Sequence, residues 1–106
     1  MSTIRMTYAT AMVLQALDSG YRYGFDIADV TGLRGGTVYP ILRRLEDAGL
    51  VRSRWERVRI SREAGRPPRK YYAVESLAED SIKAARARYP LLGAALSGGR
   101  PTTRPA

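Results

Sequence analysis

The sequence predicts an α+β fold that is mostly helical, in which short helices precede a two-stranded sheet and a further helix follows it. Apolar residues recur at helical spacing through the first half of the chain and again near its end. Between these regions, two short segments alternate apolar and basic residues, as strands do. A chain of 106 residues is expected to form one domain, and its 44% hydrophobic content supports a packed core.

The first predicted helix covers residues 5–18 and is apolar on more than one side. So much apolar surface has two explanations. Part of it meets a partner chain, with Met6 and Val13 in the contact, or the helix is buried all round by its own domain. The sequence favours neither.

A pair of short helices joined by a tight turn follows. Residues 24–32 form a brief apolar helix between two glycines, and residues 33–36 contain the glycines of a turn. Residues 36–50 form the second helix, with Pro40 placed in its first turn and Gly49 just past its end, where a left-handed residue stops a helix. Two short helices joined in this way predict a helix-turn-helix.

The second helix of this pair has two different faces. Its apolar stripe consists of Val38, Ile41, Leu42 and Leu45. The other faces carry Thr37, Tyr39, Pro40, Arg43 and Arg44. Small polar groups suit base edges and cations suit phosphates, so this face fits the DNA major groove. An ordinary surface helix with two solvated arginines explains this helix equally well when it is taken alone.

A basic hairpin is predicted after the helix-turn-helix. Residues 50–58 and 69–74 read as strands, and residues 61–68 as a polar loop punctuated by glycine and proline. Residues 52–70 hold eight basic and only two acidic residues, which is most of the formal net charge of +8. A basic hairpin beside a helix-turn-helix is typical of a winged helix whose wing contacts the DNA backbone, whereas a solvated loop is the alternative.

Several short motifs then follow one another in a specific order along residues 6–74. They are Tyr23-Gly24, Gly36-Thr37-Val38-Tyr39-Pro40, Leu42, Arg44-Leu45-Glu46, Gly49-Leu50-Val51, Trp55-Glu56, Arg66-Pro67 and Tyr71-Tyr72. In this order they resemble PadR-type transcriptional regulators. The resemblance implies a winged helix-turn-helix of three helices plus a two-stranded wing in residues 1–74, and a carboxy-terminal dimerisation helix in residues 75–96.

The last helix carries the prediction of a homodimer. Its apolar residues fall at alternating spacings of four and three, which is typical of a helix lying along another helix. The predicted dimer contacts are Ile82, Ala85, Tyr89, Leu92 and Leu96, together with Met6 and Val13 of the first helix. Packing back on its own domain is the alternative, and Pro90 is expected to kink or split the helix. Residues 97–106 form a Gly/Pro/Thr tail that we expect to be disordered.

The candidate DNA contacts come from the turn, the second helix of the pair and the wing. They are Arg34, Thr37, Tyr39, Pro40, Arg43, Arg44, Arg66, Lys70 and Tyr72. Arg44 and Lys70 are assigned to phosphates and Arg66 to the minor groove. Thr37 is equally a candidate helix cap.

Two aromatic positions of the hairpin are assigned less directly. One of Tyr71 and Tyr72 must face outward, and alternation alone does not decide between them. Trp55 is interpreted as a packed strand residue rather than as a ligand platform.

Composition excludes several other functions. Without cysteine or histidine the chain has no disulfide, no thiolate metal site and none of the commonest general base, so an enzyme, a metal site and a cofactor are not predicted. No apolar run is long enough to span a membrane, and the start lacks the features of a signal peptide, so we expect a cytoplasmic protein.

The sequence therefore predicts a sequence-specific, homodimeric DNA-binding regulator, most simply a repressor of a pseudo-palindromic operator. The resemblance suggests a small aromatic effector in the dimer cavity, although a regulator without an effector stays open. Two other functions remain as alternatives: a winged-helix protein-interaction module and a non-specific architectural DNA binder.

Overall fold

Three helices open the fold, and a two-stranded sheet and a last helix follow. The computed structural model describes residues 4–90. Its elements are α1 (Tyr8–Asp18), α2 (Gly24–Thr31), α3 (Gly35–Asp47), β1 (Val51–Trp55), α4 (Val58–Glu63), β2 (Lys70–Val74), a 3₁₀ turn (Ser76–Ala78) and α5 (Glu79–Arg88). This order confirms the predicted α+β winged-helix fold. None of the helices in residues 4–90 is long and apolar enough to cross a membrane.

Helix α1 is the centre of the molecule. It begins at Tyr8 rather than at residue 5, because the hydroxyl of Thr7 caps it by accepting a hydrogen bond from the N–H of Thr10 at 3.2 Å. Every residue from Thr10 to Leu17 is buried by the chain itself. Val13 is fully buried in this way, so it has no free surface for a partner, and its assignment to the dimer contact is wrong.

The turn between α2 and α3 is shorter than predicted. Gly32 adopts the left-handed conformation with φ 74° and ends α2, and α3 begins at Gly35. Pro40 is therefore the sixth residue of α3 and does not lie in its first turn. Its missing N–H leaves the carbonyl of Gly36 without a helical partner, and Gly36 is exposed, so water can serve that carbonyl.

The wing spans residues 51–74 and contains β1, α4 and β2. Its two strands pair antiparallel, with Val51 opposite Val74 and Trp55 opposite Lys70. Strand β1 ends at Trp55, three residues earlier than predicted, because the chain turns into α4 at Val58. The predicted polar loop thus begins inside a helix. The N–H of Glu56 makes the last ladder bond, donating to the carbonyl of Arg69 at 2.7 Å.

Helix α5 packs on α1 of the same chain. The Nε2 of Gln15 donates to the carbonyl of Ala85 at 3.4 Å, and Arg86 pairs with Asp18. Ile82 and Ala85 are 5% and 0% exposed, so their apolar stripe is covered within the chain, as the alternative interpretation proposed, and not left open for a second copy.

The predicted helix over residues 75–96 is interrupted at Tyr89, next to Pro90, where a kink or split was predicted. Helix α5 ends at Arg88, and Tyr89 leaves the helical conformation with φ −134° and ψ 65° just before Pro90. Leu92, Leu96 and the tail at residues 97–106 lie outside the described residues.

Candidate nucleic-acid interface

Helix α3 buries one stripe and exposes the rest of its surface. Val38, Ile41, Leu42 and Leu45 are buried in the core. Helical spacing places Tyr39, Arg43 and Glu46 on one exposed flank and Thr37, Pro40 and Arg44 on the other. The structure thus brings the predicted α3 contacts to one accessible surface.

Thr37 lies on this surface and does not cap the helix. Arg34 occupies the N-cap position, so Thr37 is the third residue of α3, and no side chain caps this terminus. Both side chains are exposed. The hydroxyl of Thr37 has no hydrogen-bonding partner among the described residues, which leaves it available to a ligand.

The ring of Tyr39 is held against the start of α2. A Cβ atom added to Gly24 would lie 2.5 Å from Cε1 and 2.8 Å from the hydroxyl oxygen of Tyr39, and both distances are shorter than a Cβ atom makes to a non-bonded atom. Partial burial raises the pKa of Tyr39, and the neighbouring Tyr23 adds to this effect. Tyr39 still exposes 46% of its surface, so it combines a fixed position with access from outside.

The wing is attached to α3 through Glu46. The hydroxyl of Ser53 on β1 donates to Glu46 Oε2 at 2.5 Å, and Lys70 Nζ on β2 lies 4.0 Å from Glu46 Oε1. The same Nζ lies 5.7 Å from the ring centre of Trp55 and 5.8 Å from that of Tyr72. Lys70 is therefore positioned in the corner between α3 and the wing.

Of the two adjacent tyrosines, Tyr72 faces the core. It is 6% exposed, and burial raises its pKa, with the charge of Glu46 as the next cause. The assignment of Tyr72 as an outward DNA contact is therefore wrong. The more exposed ring of Tyr71 packs against Tyr23, with their centres 5.9 Å apart.

Arg66 is engaged within the wing. Its Nη1 and Nη2 donate to the two carboxylate oxygens of Glu56 at 2.6 and 2.9 Å. This bidentate contact is the main cause of the lowered pKa of Glu56, and the backbone N–H of Arg69 also donates to that carboxylate. Arg66 thus closes the wing tip, a role different from the predicted free contact with the minor groove.

Comparison with known proteins identifies the family. The model of the transcriptional regulator PadR-like family matches residues 13–80. The chain belongs to the PadR-like family. None of the curated proteins compared matches it significantly.

Solved structures agree on the fold. A PadR-family regulator from Clostridium difficile is 22% identical with a TM-score of 0.65, over 87% of this chain and 97% of that one. A PadR-like factor from Bacteroides fragilis is 24% identical with a TM-score of 0.60, over 84% and 86% of the two chains. A variant of S. aureus MepR bound to an oligodeoxyribonucleotide is 19% identical with a TM-score of 0.61, over 92% and 67%.

This PadR-family chain carries unpaired cations on both α3 and the wing. The predicted residues Arg34, Arg43 and Arg44 are exposed, as are Arg54, Arg57, Arg59 and Arg62 of the wing. Within residues 4–90, none of these seven lies within 4.0 Å of a carboxylate. The wing arginines were not predicted individually, and the charge count over residues 52–70 was the signal that pointed to them.

Trp55 was also missed as a surface residue. It is 62% exposed, so its interpretation as a packed strand residue is wrong. No group of acidic residues within the described part of the chain is arranged to hold a metal ion. The exposed groups described above on α3 and the wing are thus the cations, the hydroxyl of Thr37 and the aromatic rings of Tyr39 and Trp55.

Proposed function

We propose that the chain is a sequence-specific DNA-binding transcriptional regulator that acts in the cytoplasm as a homodimeric repressor. One observation carries the proposal: the exposed hydroxyl and cationic groups of α3 lie on a helix that Glu46 fixes to an arginine-rich wing. A surface made in this way offers short polar groups to base edges and cations to the phosphates on either side.

The roles of the side chains follow from where they lie. Thr37 and Tyr39 are in the first half of α3, and their hydroxyls are assigned to base edges or phosphates. Arg43 and Arg44 lie on opposite flanks of the helix, so each is assigned to one of the two backbones that border a groove.

Two arguments support dimerisation: the symmetry of operator recognition, and the accessible aromatic side chains near the start of α1. A two-fold dimer presents two α3 helices about one helical turn of DNA apart, which matches a pseudo-palindromic operator. Tyr8 is exposed, and its ring meets Tyr89 edge-on with their centres 5.4 Å apart. These rings, with the partly buried Met6, are where we place the dimer contact in the described residues.

Repression follows from occupancy of an operator that overlaps a promoter. Release by a small aromatic effector requires different affinities for the two arrangements of the dimer, because a ligand with equal affinity shifts no equilibrium. The effector stays a prediction from the resemblance.

The test is fluorescence anisotropy of labelled DNA from the region upstream of the protein's own gene, with a scrambled duplex as the control. We expect the upstream duplex to bind at least about a thousandfold more tightly than the control. Equal affinity would support a non-specific architectural binder instead. Absence of binding to either duplex at low salt would support a protein-interaction module.

A further inference from the structure

Trp55 is exposed although it lies on the face of the wing that packs against the core. In an antiparallel pair, directly opposed residues and every second residue share one face of the sheet. By the observed register, that face carries Val51, Ser53 and Trp55 on β1 and Val74, Tyr72 and Lys70 on β2. Val51 and Tyr72 are buried, whereas Trp55 is 62% exposed. The core-facing side of the wing thus extends beyond the core, and the last residue of β1, Trp55, is exposed to solvent.

This side of the wing lies next to the exposed flank of α3. Ser53 and Lys70 both contact Glu46, which shares its flank with Arg43. We call the space bordered by Arg43, Glu46, Trp55 and Lys70 the α3–wing notch. The carboxylate of Glu46 is the one anionic group among these four residues, and Ser53 and Lys70 already contact it. Arg43 and Lys70 are cations.

The chemistry of the notch suits a ligand that is anionic on one part and apolar on the next. The indole N–H of Trp55 is a hydrogen-bond donor with no acceptor capacity, and its ring offers a flat apolar face. Lys70 Nζ lies 5.7 Å from the ring centre, which places a cation beside this face. A sugar–phosphate backbone presents oxygen acceptors and deoxyribose carbons in this alternation.

We propose that Trp55 is a direct contact to the DNA backbone in the α3–wing notch, with its N–H donating to a phosphate and its ring against the adjoining sugar. This inference rests on the proposed function. A duplex lying along α3 would place one of its backbones between the helix and the wing, next to the side chains that border the notch. A second copy of this chain is a poor occupant of the notch, because a symmetric contact there would bring Arg43 and Lys70 of the two copies together.

The tryptophan supplies its own probe, because the chain contains one tryptophan. The experiment measures acrylamide quenching of its fluorescence in the free protein and in the saturated complex with the upstream duplex at low salt. Anisotropy of the labelled duplex establishes saturation independently. We expect the quenching constant to fall severalfold in the complex.

Two failures are distinguishable. An unchanged quenching constant in a saturated complex would overturn the proposal for Trp55 and leave DNA binding intact; the exposed tryptophan among arginines would then fit a protein partner, since such residues are common in interface hot spots. Absence of any anisotropy change would overturn the proposed function itself, and the inference with it.

Substitutions separate the two parts of the contact. Loss of one hydrogen bond and its packing predicts about tenfold weaker DNA binding for Trp55→Ala, and a loss of about threefold for Trp55→Phe, which keeps a ring but removes the N–H. Leu77→Ala is the matched control, because Leu77 is 65% exposed and lies in the 3₁₀ turn. Wild-type affinity for both Trp55 variants would overturn the proposal.

Discussion

At the scale of single residues, the position of Tyr39 depends on the absence of a side chain at Gly24. The Tyr39 ring occupies the space that a Cβ atom at that position would fill. The ring is the far end of a flexible side chain and is partly exposed, so it can move away, but its hydroxyl then leaves the surface of α3.

Gly24→Ala is therefore expected to weaken DNA binding severalfold while stability changes little, because the displaced ring is partly exposed and Gly24 is the first residue of α2, where alanine and glycine differ by less than the ~1 kcal/mol of a helix interior. Anisotropy with the upstream duplex and thermal melting measure the two effects. In a Tyr39→Ala background the same change should have no further effect on binding, because the displaced group is absent. Additive losses in the double variant would contradict this role of Gly24.

Some residue assignments could not come from the sequence. Two successive tyrosines satisfy a period of two in either register, and the pairing of β1 with β2 decides that Tyr72 is the buried one. Trp55 looked like a core residue because it is large and apolar. Trp55 is exposed because β1 extends beyond the core on which it packs. The local sequence pattern does not show how far the core reaches.

At the scale of elements, Glu56 closes the wing through contacts with Arg66 and Arg69. Glu56 and Arg66 are ten positions apart, and their bidentate pair fixes the two ends of the segment that contains α4. The local pattern favoured a longer strand through Val58. Helix α4 was missed because its six residues are too few to show a helical period, whereas α2 and α3 were predicted from their own periodicity and terminal glycines.

Glu56→Gln is expected to lower the melting temperature at pH 7. The pKa of Glu56 is lowered in the folded state, so the pair contributes stability above the carboxyl group's unfolded pKa, and this contribution is lost as the pH falls through the folded value. The difference between variant and wild type should therefore disappear in acid. Glu63→Gln is the matched control, since Glu63 is an exposed residue of the same wing. A difference that persists unchanged to low pH would contradict the proposed pair.

At the scale of the whole molecule, the apolar stripe of α5 was predicted correctly but its partner was not. The spacing of Ile82 and Ala85 indicates that another element packs on this stripe, but it does not indicate whether that element belongs to the same chain or to a partner. Helix α1 of the same chain covers it without the entropic cost of association. A dimer must therefore use other residues, such as Met6 and Tyr89, or the predicted seam residue Leu92.

Light scattering at micromolar concentration tests the oligomeric state. We expect a mass of twice the 11.7 kDa of one chain, and a shift towards the monomer for Leu92→Asp, because a charge in an apolar contact is strongly unfavourable. Ala84→Asp, on the exposed side of α5, controls for the change in charge, because it adds the same single negative charge. A wild-type mass of one chain would contradict the homodimer.

The central claim is that the exposed surface of α3 binds DNA, and the salt dependence of binding to the upstream duplex tests it most directly. Arg44→Ala should weaken binding and reduce the slope of log affinity against log salt by about one, since one phosphate contact is lost. Lys83→Ala removes the same charge from α5 and should leave the slope unchanged. Equal slopes for the wild type and Arg44→Ala, with unchanged affinity, would show that DNA does not bind at this surface.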